Sequence, residues 1–146
     1  MATIADILKK KGNDVYTVTP ESTVFEAVKT LDEKGVGALL VAEGDQIQGI
    51  VTERDYLRKI VLKDRSSKTT AVRVIMSAPL VCVDPECTLE EAMAMMTDKR
   101  IRHLPVIDGG KVVGVVSIGD LAKQLSEDQE FHIKYLTDYI TGAYPS

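Results

Sequence analysis

A chain of 146 residues suffices for one ordinary domain, and 45% hydrophobic with 27% charged residues is a globular composition, not a disordered one. The net charge of −4 and pI near 5.2 argue against a broad nucleic-acid footprint, and the apolar stretches are too short to span a membrane. The first six residues lack a basic segment followed by an apolar run, so no signal peptide is expected; two cysteines, Cys82 and Cys87, make no disulfide framework, so a reduced, soluble, cytoplasmic protein is expected.

In chain order, a short helix is predicted over 4–8, followed by Lys9-Lys10-Lys11-Gly12, which reads as a solvated helix end with cations at the favoured terminus. A strand over 16–19 stops at Pro20, which has no N–H to give a ladder. Thr23-Val24-Phe25-Glu26 has the form of a capping box, and the helix it opens places Val24, Ala27, Val28 and Leu31 on one face. A strand over 38–42, a hairpin turn at Glu43-Gly44-Asp45, a strand over 47–51 and a helix over 53–62 follow. The polar run Lys63-Asp64-Arg65-Ser66-Ser67-Lys68 reads as an exposed link.

The same grammar then recurs. Residues 17–55 align with 82–120 without a gap at a constant offset of 65, so that Pro20 falls on Pro85, Thr23 on Thr88, Ala27 on Ala92, Gly49 on Gly114 and Asp55 on Asp120. The second copy has an opening helix (72–76), a strand (80–84) and a box at Thr88-Leu89-Glu90-Glu91. Its long helix has the face Leu89, Ala92, Met93 and Met96; strands over 104–107 and 112–117 flank the turn Asp108-Gly109-Gly110, and a helix spans 119–125. The expected division is 1–62 and 71–126 for the repeats, 63–70 for the linker and 127–146 for a helical tail with an apolar face of Phe131, Tyr135, Leu136, Tyr139 and Ile140. Each copy is too small to bury its own sheet. The expected fold is therefore α+β: two β-α-β-β-α repeats packed with pseudo-twofold symmetry, plus a C-terminal helix.

Asp55 and Asp120 follow Thr52 and Ser117 by three residues, each at the start of a second helix. Two readings of that spacing stay open. It is an ordinary helix cap, and it also places a carboxylate that can accept from the two adjacent hydroxyls of a ribose beside amides that can receive phosphate. Arg54, Arg102 and His103 are the candidate cations; arginine offers a planar fork, and histidine a donor once protonated. No nucleophile is paired with a base, no phosphate-cradling glycine loop is present, and the cysteines fit no zinc pattern, so neither catalysis nor a resident metal or cofactor is expected.

The β-α-β-β-α grammar, the proline before the long helix and a doubled ending, Gly49-Ile50-Val51-Thr52-Glu53-Arg54-Asp55 and Gly114-Val115-Val116-Ser117-Ile118-Gly119-Asp120, resemble the cystathionine-β-synthase (CBS) domain; Arg102-His103-Leu104-Pro105-Val106 looks like its second-strand entrance. The resemblance covers roughly 3–125 and is greatest to small proteins holding little beyond one domain pair. It implies a regulatory module binding AMP, ADP or ATP, or another adenosyl ligand such as S-adenosylmethionine or NAD(H), in clefts between repeats. It further implies a homodimer, acting on an unidentified regulated protein; a constitutive scaffold is the alternative. By the same resemblance, one cleft combines Thr52, Arg54 and Asp55 with Cys82, Asp84, Ile101, Arg102 and His103. The other combines Ser117, Gly119 and Asp120 with Thr17, Thr19, Val24, Val36, Gly37 and Ala38. Because Gly37-Ala38 and Gly119 stand where the other copies have Arg102-His103 and Arg54, the Asp55 cleft is expected to bind phosphate more strongly.

Overall fold

A computed structural model describes residues 2–78 and 80–127; the helical tail expected over 127–146 lies, from residue 128 on, outside the described residues. The elements run α1 (Ile4–Lys11), β1 (Thr17–Val18), α2 (Val24–Lys34), β2 (Ala38–Glu43), β3 (Gln46–Thr52), α3 (Glu53–Tyr56), α4 (Val72–Ile75), α5 (Leu89–Lys99), β4 (His103–Asp108), β5 (Lys111–Ser117) and α6 (Ile118–Glu127). This is an α+β fold with small sheets. The chain forms two compact units, Val15–Leu80 and Met1–Asp14 with Val81–Ser146.

Each unit is built on an antiparallel hairpin whose register repeats at the 65-residue offset: Ala38 faces Thr52 in β2–β3, and His103 faces Ser117 in β4–β5. The repeats part company beside it. In the first unit β1 runs parallel to β2, with the Leu40 N–H donating to the Tyr16 carbonyl at 3.0 Å. The position matching Leu40 is Pro105, which has no N–H, so the corresponding rung cannot form. Among the described residues only Val83 bridges to β4, through Val83 N–H to the Pro105 carbonyl (3.1 Å) and Ile107 N–H to the Val83 carbonyl (2.8 Å). The strand expected over 80–84 is thereby reduced to a single bridge. The helix expected over 53–62 also differs: after one α-turn, Leu57–Val61 is π-helical.

Each opening helix joins the unit of the repeat it does not precede. Ile4 and Ala5 N–H groups of α1 donate to the carbonyls of Cys87 and Pro85, both at 2.9 Å, while Val72 and Arg73 N–H groups of α4 donate to those of Ser22 (2.8 Å) and Pro20 (3.0 Å). Free first-turn amides are satisfied by the aligned proline turn of the other repeat. Ile4, Ile7 and Leu8 accordingly join the core of Leu89, Ala92, Met93, Met96, Leu104, Val116 and Leu121. Val72 and Ile75 join that of Val24, Ala27, Leu31, Leu39, Val41, Val51 and Ile60. Residues 63–70, expected to be a link between units, belong to the first unit: the Ser67 and Thr70 carbonyls accept from the Phe25 and Val24 N–H groups at the start of α2, each at 2.9 Å.

The aligned glycines make room for this docking. A Cβ on Gly114 would lie 2.6 Å from Leu8 Cδ2, and one on Gly49 would lie 2.7 Å from the Ser77 carbonyl oxygen, just past α4. A leucine tip can turn aside; a backbone carbonyl held by the Ile50–Ser77 bridge cannot. Gly49→Ala should therefore destabilise the protein by about 1–3 kcal/mol, and Gly114→Ala by clearly less, as read from urea denaturation midpoints. Equal losses would refute the distinction.

Candidate functional site

In both units the end of the hairpin and the start of the next helix form one junction. The carbonyl of the residue before the hairpin accepts the first helical N–H: Gly37 from Glu53 at 3.1 Å, and Arg102 from Ile118 at 2.9 Å. A reciprocal cap completes it. Thr52 Oγ1 accepts from Asp55 N–H (3.2 Å), while the Thr52 N–H (2.9 Å) and hydroxyl (3.1 Å) donate to Asp55 Oδ2. Ser117 Oγ accepts from Asp120 N–H (3.1 Å), and Ser117 N–H donates to Asp120 Oδ2 (2.8 Å). Both aspartates thus do serve as caps. The same device occurs at Thr3–Asp6, where Thr3 N–H donates to Asp6 Oδ2 at 2.8 Å; Thr-x-x-Asp alone is a capping signal.

What separates Asp55 and Asp120 from Asp6 is a lysine. Asp55 is buried, 8% exposed, and Lys59 Nζ lies 3.1 Å from its Oδ1 while donating to the Ile75 carbonyl at the end of α4 (2.8 Å). Asp120 is met by Lys11 Nζ at the end of α1, 2.6 Å from Oδ2, which also donates to the Val115 carbonyl at 2.7 Å. No ion pair of Asp6 is found among the described residues. Lys59 was missed in the sequence, although its i,i+4 spacing from Asp55 was a signal that could have found it. Lys11 was read as a solvated helix end and is corrected here: α1 docks on the second repeat and delivers it to Asp120. The Ser117–Asp120 junction, expected to be short of cations, has one.

The remaining candidates gather by repeat. Val36 and Gly37 line a cleft of about 520 Å³ with Glu53, Tyr56 and Leu57 in the first unit, where Ala38 faces Thr52 and Arg54 is half-buried. Thr17 is exposed on β1, and the Thr19 hydroxyl pairs with that of Ser22 at 2.8 Å. Val24 is packed into the core at 1% exposure and offers little to a ligand. In the second unit, Cys82 and Asp84 line a cleft of about 610 Å³ with Cys87, Glu91 and Met95. Asp84 Oδ1 is occupied by the Glu86 N–H (2.9 Å), and burial raises the pKa of the Cys82 thiol, keeping it protonated. Ile101 is half-buried against the core, and Arg102 is half-buried beside it. Gly119 is exposed, with room for a Cβ.

His103 departs from expectation. Burial first, then the nearby charges of Lys11 and Arg102, lower its pKa to about 4, with Asp120 opposing. Near neutral pH it is an uncharged ring with a single N–H donor, not the imidazolium expected from sequence. Burial raises the Asp120 carboxyl, but the hydrogen bonds and charge of Lys11, together with Ser117, outweigh it and hold it below the ordinary carboxylate value.

A model of the CBS domain matches residues 3–62 and 72–127. The chain belongs to the CBS-domain family. It is 43% identical over 151 residues to the mitochondrial CBS domain-containing protein CBSX3 of Arabidopsis thaliana, covering 97% of this chain and 73% of that protein. A solved structure of a protein with CBS domains from Burkholderia ambifaria MC40-6 matches with a TM-score of 0.84 and 54% identity, covering 90% of this chain and 99% of that one. The hexameric CBS-CP12 protein from bloom-forming cyanobacteria matches with a TM-score of 0.74 and 34% identity, over 83% of this chain and 69% of that one. As a CBS-domain pair, this chain is of a generally regulatory, ligand-binding kind. No helix among the described residues is long and apolar enough to cross a membrane.

The state of His103 sets a pH dependence. In the unfolded chain a histidine titrates near its ordinary 6.5, whereas folded His103 holds out to about 4. As pH falls through this window the unfolded chain takes up a proton that the folded chain refuses, so stability declines. Asp120 acts lower, its contribution being lost only as pH falls below the ordinary value of 3.8. Denaturation midpoints should decline between about pH 6.5 and pH 4, and His103→Gln should flatten that slope. An unchanged slope in the variant would remove His103 from the account.

Proposed function

We propose that this CBS pair is an adenine-nucleotide sensor, with AMP the foremost ligand, that alters its fit to a regulated partner protein as the nucleotide comes and goes. One observation carries the reading: at each junction a carboxylate stands at a helix start with a lysine ammonium on it, Asp55 with Lys59 and Asp120 with Lys11. A carboxylate is the acceptor that a ribose diol needs, and a neighbouring ammonium is a partner for phosphate. A helix cap by itself calls for neither burial nor a counter-ion. ADP, ATP, S-adenosylmethionine and NAD(H) share the ribose and are compared in the same titrations. The half-buried thiols Cys82 and Cys87, both unbridged, suit a reducing compartment, and a cytoplasmic location belongs to the same reading.

Self-association is part of the proposal. Leu57, Val61 and Leu62 are 56%, 52% and 76% exposed along one stretch, an apolar surface that a second copy would cover, and the CBS-CP12 relative is hexameric. Light scattering at micromolar concentration should give a dimer or larger species, and Leu62→Glu should lower the mass; a monomeric parent protein would contradict this.

Ligand binding to the folded state alone adds about 2.7 kcal/mol of stability at a hundredfold excess over the dissociation constant. AMP should raise the denaturation midpoint accordingly. Asp55→Asn is the informative variant, because the amide oxygen can still accept from Thr52 N–H and spare the cap, whereas alanine removes cap and acceptor together. It should lose much of the AMP gain while keeping most of the unliganded stability. Undiminished AMP stabilisation in Asp55→Asn would defeat the ribose assignment, and no stabilisation of the parent protein by AMP or any other adenosyl ligand would defeat the sensor.

A further inference from the structure

We propose that Lys11 sets the charge requirement of the Asp120 junction, holding the carboxylate while no ligand is present and turning onto the phosphate when a phosphorylated nucleoside takes its place. The inference rests on the nucleotide reading above and deepens it for one junction.

Lys11 is the last residue of α1, and its side chain is 39% exposed, so the ammonium can swing without disturbing the core. The two hydrogen bonds to Asp120 described above, from Lys11 Nζ at 2.6 Å and Ser117 N–H at 2.8 Å, converge on the same oxygen, Oδ2. A sugar diol that engages both oxygens of the carboxylate through its adjacent hydroxyls must take Oδ2 as well, and there it competes with Lys11. A neutral nucleoside that wins this competition strips an ammonium of its anion and leaves it the Val115 carbonyl. A phosphorylated nucleoside supplies a new anion for the same ammonium. Displacement therefore penalises uncharged ligands and not charged ones, and an ion pair that looks inhibitory becomes a selector.

The surroundings agree. Lys11 and Asp120 line a small cleft of about 110 Å³ with Lys10, Lys123, Gln124 and Glu127. That space takes about four waters at roughly 30 Å³ each, or one tetrahedral anion, and the three lysines outnumber the two carboxylates. Lys59, the corresponding cation at Asp55, sits four residues along the same segment and is also tied to Ile75. Lys11 arrives from a separate segment, 109 residues away in sequence. Selection by Lys11 is thus a property of the second junction.

The test is calorimetry of the full chain with AMP and with adenosine, in an Asp55→Asn background that leaves Asp120 as the intact junction carboxylate. Lys11→Met should weaken AMP about tenfold and tighten adenosine, the loss being that of one charged contact, so that the preference for AMP collapses. Lys11→Arg should restore the preference. Lys9→Met, exposed on the same helix and outside this cleft, should leave it unchanged. A preference that survives Lys11→Met overturns the proposal, as does an equal loss for both ligands, which would make Lys11 a brace for α1. AMP binding equally well to both proteins removes Lys11 and leaves the nucleotide reading standing; no binding of either ligand to the parent protein overturns both.

Discussion

A helix begins with amides that nothing inside it can satisfy, and the architecture of this protein follows from where two helices find their acceptors. The first amides of α1 reach the carbonyls of the Pro85 turn, and those of α4 reach the carbonyls of the Pro20 turn. Once its start is pinned, α1 has a fixed path. Its eight residues rise about 12 Å, passing Leu8 over Gly114, where a side chain larger than hydrogen would collide, and ending with Lys11 on Asp120. The charge state of the second junction is therefore decided by a backbone contact at the far end of a helix.

The junctions show which interactions matter energetically. Lys10–Glu127 and Arg73–Glu21 are pairs between well-exposed side chains, a kind worth between nothing and about 1 kcal/mol. Asp55 is different, because a carboxylate at 8% exposure has given up most of its water, and the Thr52 amide, the Thr52 hydroxyl and Lys59 stand in its place. The backbone part of the junction, Gly37 to Glu53 and Arg102 to Ile118, is the same in both units. The main chain is thus satisfied alike at both junctions although the side chains differ, with Ala38 where the second repeat has His103 and Arg54 where it has Gly119.

Much of this was legible in the sequence because it is local or periodic. The 65-residue offset located both hairpins, both long helices and both Thr/Ser-x-x-Asp junctions, and the faces headed by Val24 and Leu89 are the buried ones. What escaped is non-local or depends on a single atom. Loss of the second repeat's first strand turns on the N–H that Pro105 lacks where Leu40 has one. The end of α5 places Arg100 in the left-handed region (φ 57°), where the first repeat uses Gly35. The exchange of opening helices could not be seen, because an amphipathic turn such as Ile4-Ala5-Asp6-Ile7-Leu8 does not specify which core it enters.

Lys11 was missed for that reason, and its omission skewed an electrostatic comparison. Judged from aligned positions, the Asp55 junction held the cations and the Asp120 junction had glycine where arginine stood. In space, one of the supposed cations is neutral, since burial and the neighbouring Lys11 and Arg102 keep His103 uncharged down to about pH 4. A lysine from outside the aligned segment stands on the carboxylate judged to lack one. The two facts have one cause, because the ammonium that supplies charge to Asp120 also raises the cost of a second positive charge on the adjacent ring. The asymmetry between the repeats is real, but it lies in how each cation is attached. Lys59 follows Asp55 in the same segment and moves with it, whereas Lys11 joins Asp120 to a helix anchored elsewhere, so displacing Lys11 releases a contact that the rest of the unit can register.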